Sequence, residues 1–174
     1  MCVFLSSCND FAERETFQIP DKYIGRIVIA FNQFKGEPIK YIDDRRIYMI
    51  SKNGILATQF PVNDGWHSLK KSDQIFEYVD SNGRPKRRLP VHYNDLSLDP
   101  TDTSVQIFEI NIASFGSTKL ISFNVDRYIN YKKYTYNSAY AEYKFLDTTL
   151  KKIGIDSMGN VSKGSVPKYH LKGK

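Results

Sequence analysis

Cys8 is the residue whose neighbours most clearly define a chemistry. Leu5-Ser6-Ser7-Cys8 sets an aliphatic residue and two small residues ahead of a cysteine. That is the form of a bacterial lipobox, in which the thiol becomes diacylglyceryl-modified and the cysteine, after cleavage, the new N-terminus. A secretory signal also needs a charged n-region and an apolar stretch of about 7–15 residues. Here only Met-Cys-Val-Phe-Leu precedes the small pair, and none of it is charged. The reading is a lipobox whose signal starts upstream of Met1, set against the alternative of a short apolar tip on an ordinary frayed chain end. Residues 9–19 turn polar at once, as a lipoprotein tether should. The expected order is therefore signal and lipobox over 1–8, a flexible tether over 9–18, a folded domain over 19–156 and a loose tail over 157–174. Cys2 and Cys8 are both within the signal, so no cysteine remains in the body for a disulfide.

Other chemistries find weaker footing. Serine hydrolysis needs a base, usually histidine, held by a carboxylate. His67, His92 and His170 stand alone, with no Gly-x-Ser-x-Gly element near any of them. Metal binding lacks a His-x-x-x-His pair or a cysteine cluster, and the spacing of Asp95, Asp99 and Asp102 matches no standard calcium loop. No metal and no cofactor are expected. Arg84, Lys86, Arg87 and Arg88 form the one basic cluster, suited to an anionic surface such as lipid headgroups or polysaccharide. Without stacking aromatics beside these basic residues, nucleic acid is not an expected partner. Of the 12 tyrosines, Tyr131 and Tyr134 precede the late helical pattern and are the candidates for exposed contact aromatics.

The elements that must position these residues are mostly strands. The chain of 174 residues is 41% hydrophobic and 14% aromatic, enough for one domain with a real core. Its net charge of +6 suits residence beside polyanions and also serves solubility. No run of about 18 apolar residues predicts a membrane span. Residues 23–31 read as a buried strand. Arg46–Ile50 and Ile55–Phe60 read as a hairpin closed by Ser51-Lys52-Asn53-Gly54, whose Asn-Gly pair suits a type I′ turn. Gln74–Val79 and Arg84–Leu89 flank Asp80-Ser81-Asn82-Gly83 as a second hairpin with a charged arm, and two further strands span 105–112 and 119–125. Apolar positions at helical spacing predict one amphipathic helix over about 138–153, stopped by Gly154. The expected fold is mainly β: an antiparallel β-sandwich of transthyretin or immunoglobulin type with one C-terminal amphipathic helix.

Residues 19–66 carry a resemblance: Ile19-Pro20-Asp21-Lys22-Tyr23-Ile24-Gly25, then Ile29-Ala30-Phe31-Asn32-Gln33, Gly36-Glu37-Pro38, Arg46-Ile47-Tyr48-Met49-Ile50, Asn53-Gly54-Ile55-Leu56-Ala57-Thr58-Gln59-Phe60 and Gly65-Trp66. This pattern resembles a family of small lipoproteins of Bacteroidota and related bacteria with a shared domain of unknown function. It is also similar, through its Gly-x-Pro turn, to transthyretin-like or carboxypeptidase-regulatory-like modules. The resemblance implies fold and location and no catalytic residue. The expectation is a lipid-anchored envelope protein, on the periplasmic face or the cell surface, acting as a non-catalytic binding or structural module. Its partners would be the membrane, through lipid, and an envelope protein or glycan. A small exported hydrolase and a periplasmic immunity or inhibitor protein are the competing classes.

Overall fold

Small alternations along the first thirty residues lay down both layers. Glu15, Phe17 and Ile19 point one way and Thr16 and Gln18 the other, as period-two geometry requires. After a tight turn, Ile27, Ile29 and Phe31 face back toward them, so the first two strands bury one another's apolar sides. The computed structural model describes residues 11–64, 73–92, 101–115, 117–131, 139–152 and 154. The strands are β1 (Arg14–Pro20), β2 (Gly25–Ala30), β3 (Tyr41–Ile42), β4 (Arg45–Met49), β5 (Ile55–Ala57), β6 (Gln74–Val79), β7 (Pro85–Arg88), β8 (Val105–Phe115) and β9 (Thr118–Arg127). A single helical turn α1 (Tyr128–Tyr131) and a helix α2 (Ala139–Lys152) follow. Five strands order as β3-β4-β1-β6-β7 and four as β5-β2-β9-β8. The result is the expected β-sandwich.

Two expectations need correction. First, the sheets are mixed rather than antiparallel. β1 pairs in parallel with both β4 and β6, and β2 in parallel with β5. The cause is that consecutive strands alternate between the layers: β1 in the larger sheet, β2 in the smaller, β4 in the larger, β5 in the smaller, β6 in the larger. Each double crossing returns the chain in its original direction. The Asn53-Gly54 turn is accordingly an arch between sheets and not a hairpin. Gly54 has φ 77° while Asn53 keeps a negative φ, which excludes type I′. Second, residues 14–18, expected within a flexible tether, belong to the folded domain. From Arg14 onward the chain is the central strand of the larger sheet, and Glu15, Thr16, Phe17 and Gln18 are buried.

The hairpin of β6 and β7 forms as expected, antiparallel, with the Asp80 carboxylate accepting from the Asn82 and Arg84 amides and Gly83 at φ 75°. β8 and β9 form a long antiparallel hairpin. Its one irregularity is a bulge at Glu109, whose φ is 50°.

The core is organised by register. Phe17 stands opposite Tyr48 on one side and Phe76 on the other, so three rings share one rung across three parallel strands. They stack at 4.9 Å and 4.5 Å between centroids, and Phe123 of the facing sheet closes on Phe17 and Phe76 edge-on. On the outer face of the smaller sheet, α2 seats Leu146 and Leu150 on Val28, Ala30 and Leu120. Arg26 pins this layer from below, donating to Ser122 and lying 5.3 Å over the Phe145 ring. The helix spans nearly the expected residues and ends at Gly154, φ 72°, whose amide donates to the Lys151 carbonyl. Among the described residues, no helix is long and apolar enough to cross a membrane.

Candidate functional site

Because β1, β4 and β6 run side by side in one direction, their carboxyl ends meet at one edge of the larger sheet. Three turns leave from that edge, and between them lies a cleft of about 520 Å³. Its floor is apolar, made by Pro20, Met49, Ile50 and Val79; its rim is polar, with Asp21, Lys22, Ser51, Lys52, Asp80 and Ser81. Met49, on β4, is 49% exposed and turns its side chain to this cleft.

The rim is built by local hydrogen bonding. Lys22 sits at φ 62° in a turn closed by the Tyr23 amide donating to the Pro20 carbonyl. Tyr23 forms the wall. Its hydroxyl donates to the Arg26 carbonyl at 2.7 Å, its own carbonyl accepts from the Tyr78 hydroxyl at 2.6 Å, and burial raises the pKa of both phenols. The Tyr23 ring can lie there because residue 54 is glycine: a Cβ at Gly54 would sit 1.9 Å from the Tyr23 hydroxyl oxygen. Asp21 accepts from Lys86 at 2.6 Å, and this bond holds the Asp21 pKa below its ordinary value. The arrangement offers an apolar seat ringed by charges of both signs, suited to holding a ligand with an apolar body.

At the opposite end of β1 lies a second polar cluster, assembled from residues too far apart along the chain to form a local motif. Glu15 is 0% exposed. Its carboxylate accepts from the Tyr48 hydroxyl and from the Gln74 amide, each at 2.9 Å. Arg46, nearly as deep, donates to Glu13 and to the Pro61 carbonyl and lies 5.2 Å over the Phe60 ring. Glu13 also accepts from Tyr41, and its backbone exchanges two bonds with the Asn63 side chain. Burial works against the Arg46 charge, yet Glu13 and Tyr48 together outweigh it and the guanidinium pKa is raised. Burial and the Glu15 charge push the Tyr48 phenol far up. Glu15, Arg46 and Tyr48 are buried while Glu13 and Tyr41 close the cluster from its exposed margin, and together they lock the amino end of β1.

The basic cluster falls on β7, an exposed edge strand. Alternation sends its members to both faces: Arg88 pairs across from Glu77, Lys86 reaches Asp21, and Arg87 lies 5.4 Å over the Tyr78 ring. Arg84 stays at the hairpin turn. The four residues therefore spread along an edge beside the cleft and do not converge on one point. His92 stacks on Phe108 at 5.7 Å between ring centroids. Asp102 accepts from the Ser104 amide and the Gln106 side chain. Tyr131 closes α1. Cys8, His67, Asp95, Asp99, Tyr134 and His170 lie outside the described residues. Among the described residues, no group of three or more His, Cys, Asp or Glu is placed to hold a metal ion.

With this geometry in view, comparison with known proteins gives a family and a fold. The profile of a family of unknown function, DUF6843, matches residues 12–106, from the approach to β1 to the start of β8. Among solved structures, a candidate lipoprotein from Bacillus anthracis superposes with a TM-score of 0.51 at 12% sequence identity, covering 79% of this chain and 92% of that one. At such identity the likeness is one of fold. No curated protein matches the chain. The family match takes in both the cleft and the buried cluster and more than half of the 174 residues, and the chain belongs to the DUF6843 family of unknown function.

Proposed function

We propose that this protein is a lipid-anchored bacterial envelope protein, acylated at Cys8, that serves as a non-catalytic binding module through the cleft at the carboxyl ends of β1, β4 and β6. The observation that carries this reading is the polarity of the molecule. Five Cα-to-Cα steps lead from Cys8 to Glu13, a reach of at most about 18 Å, and Glu13 is fixed at the amino end of β1 by Arg46 and Asn63. The cleft opens at the other end of that strand, about 23 Å away at ~3.3 Å per residue. Anchoring at Cys8 thus holds one end near the bilayer and turns the cleft outward, toward an envelope protein or glycan. The basic residues of β7 sit beside the cleft and draw anionic partners to it. A fold shared with a candidate lipoprotein supports the anchor, as does Leu5-Ser6-Ser7-Cys8. Kinship with Bacteroidota lipoproteins belongs to the same proposal, carried by Gly36-Glu37-Pro38 and Asn53-Gly54.

The test is fractionation of cells expressing the gene with its complete upstream sequence. The unaltered protein should partition with membranes, and Cys8→Ser should release it or stall its processing. Equal membrane partitioning of the two forms contradicts the proposal.

A further inference from the structure

The turn after β2 presents Phe34 with 92% of its surface exposed. Exposed apolar residues are common on their own; this one is held out by a rigid frame. Asn32, at φ 57°, reverses the chain while its amide donates to the Phe60 carbonyl. Gln33 donates to the Thr58 carbonyl through its amide and to the Phe31 carbonyl through its side chain. Gln59 donates to the Phe34 and Gly36 carbonyls, both at 3.2 Å. Gly36 packs so closely that a Cβ there would lie 2.7 Å from the Ala57 backbone. These bonds fix the backbone from which the ring projects. Lys35, beside it, is exposed, and so is Lys119, whose carbonyl accepts from the Phe31 amide. Glu37 is two residues on and also exposed.

This turn lies at the end of the sandwich where the N-terminal segment arrives. Glu13 contacts Arg46, Arg46 covers Phe60, and Phe60 accepts from Asn32. Phe11, two residues before Glu13, is itself 72% exposed.

We propose that the Phe34 turn docks on the lipid bilayer, inserting the ring among acyl chains with Lys35 beside headgroup phosphates, and so fixes the orientation of the anchored domain. The inference rests on the proposed anchor at Cys8, whose reach of at most about 18 Å from Glu13 keeps this end close to the membrane. An amphipathic tip of one aromatic ring and one lysine suits the interface between chains and headgroups. Its task is orientation, since the lipid supplies the anchorage.

The experiment uses the full chain carrying Cys8→Ser, hence unacylated, with vesicles of phosphatidylethanolamine and phosphatidylglycerol. Phe34→Trp adds an indole to the single native Trp66. Vesicles should shift the added emission to the blue, and brominated acyl chains should quench it. Phe34→Ser should lower partitioning about tenfold, since the ring leaves apolar surroundings, and Lys35→Gln about fivefold, each with an unchanged melting temperature. Added emission that vesicles leave unmoved overturns the inference, as does unaltered partitioning of Phe34→Ser. So does a change from dimer to monomer in Phe34→Ser without loss of vesicle binding, which assigns the tip to a second copy. Because this assay reads unacylated protein, failure of the anchor appears elsewhere, as equal membrane partitioning of Cys8→Ser in cells.

Discussion

Gly54 is a small residue on which the architecture depends. It combines a positive φ of 77° with a Cβ site already occupied by the Tyr23 hydroxyl. Gly54→Ala should therefore destabilise the fold by about 1–3 kcal/mol for the backbone alone, with a further loss as Tyr23 is driven from the cleft wall. Thermal melting checks this, and an unchanged midpoint would mean the arch adapts at no cost. The sequence flagged this glycine, but for a type I′ hairpin; its real neighbour, Tyr23, lies 31 positions away and no local pattern could supply it. Glu13 shows the same limit. Its pKa lies below the ordinary 4.5 chiefly because Arg46 hydrogen-bonds its carboxylate. A lowered folded-state pKa adds stability that is complete above about 4.5 and is lost as pH falls through the folded value. Stability should thus decline on acidification below about pH 4.5, and Glu13→Gln should make that decline shallower. Chemical denaturation at pH 6 and pH 3 measures the difference, and identical declines would remove Glu13 from the acid response.

At the scale of elements, strand positions were legible and strand partners were not. Runs such as Ile27-Val28-Ile29-Ala30 and Leu120-Ile121-Ser122-Phe123 announce themselves by composition, and α2 by its spacing. A short turn between two strands, however, looks alike whether the second strand folds beside the first or crosses to the other sheet. Ser51–Gly54 crosses because Ile55, Leu56 and Ala57 pair with Val28, Ile29 and Ala30, a contact set by distant residues. β1 escaped notice because its outward residues, Thr16 and Gln18, are polar and its inward ones include Glu15, leaving only Phe17 and Ile19 as apolar signal. Its importance is testable. Phe17→Ala, removing the middle ring of the rung, should cost about 3–5 kcal/mol, and Leu150→Ala under α2 about 2–5 kcal/mol. A loss in the Phe17 variant no larger than that of an exposed substitution would contradict the packing described. The edge strand β7 should behave oppositely. Replacing Arg84, Lys86, Arg87 and Arg88 with Ser should move melting little, because exposed pairs such as Lys86–Asp21 contribute about 0–1 kcal/mol. The same change should abolish salt-sensitive binding to polyanionic glycan, measured at low ionic strength; binding that survives it would place the anionic contact elsewhere.

For the whole molecule, the alternation of strands between layers aligns β1, β4 and β6, gathering their carboxyl ends around a cleft and their amino ends around the half-buried Glu13–Arg46 and the buried Glu15–Tyr48 bonds. One end of the sandwich is locked and receives the chain from Cys8, and the other is open. The candidate lipidation residue was legible in four letters of sequence, whereas the cleft, formed by turns from three distant stretches, was not. The anchor proposed at Cys8 would give these two ends different surroundings. The mass of the N-terminal peptide of the mature protein, isolated from membranes after expression with its full upstream sequence, tests it most directly. The expected result is a peptide that begins at Cys8 and carries a diacylglyceryl group on the thiol. A mature chain in which Cys8 is internal and bears a free thiol would contradict it.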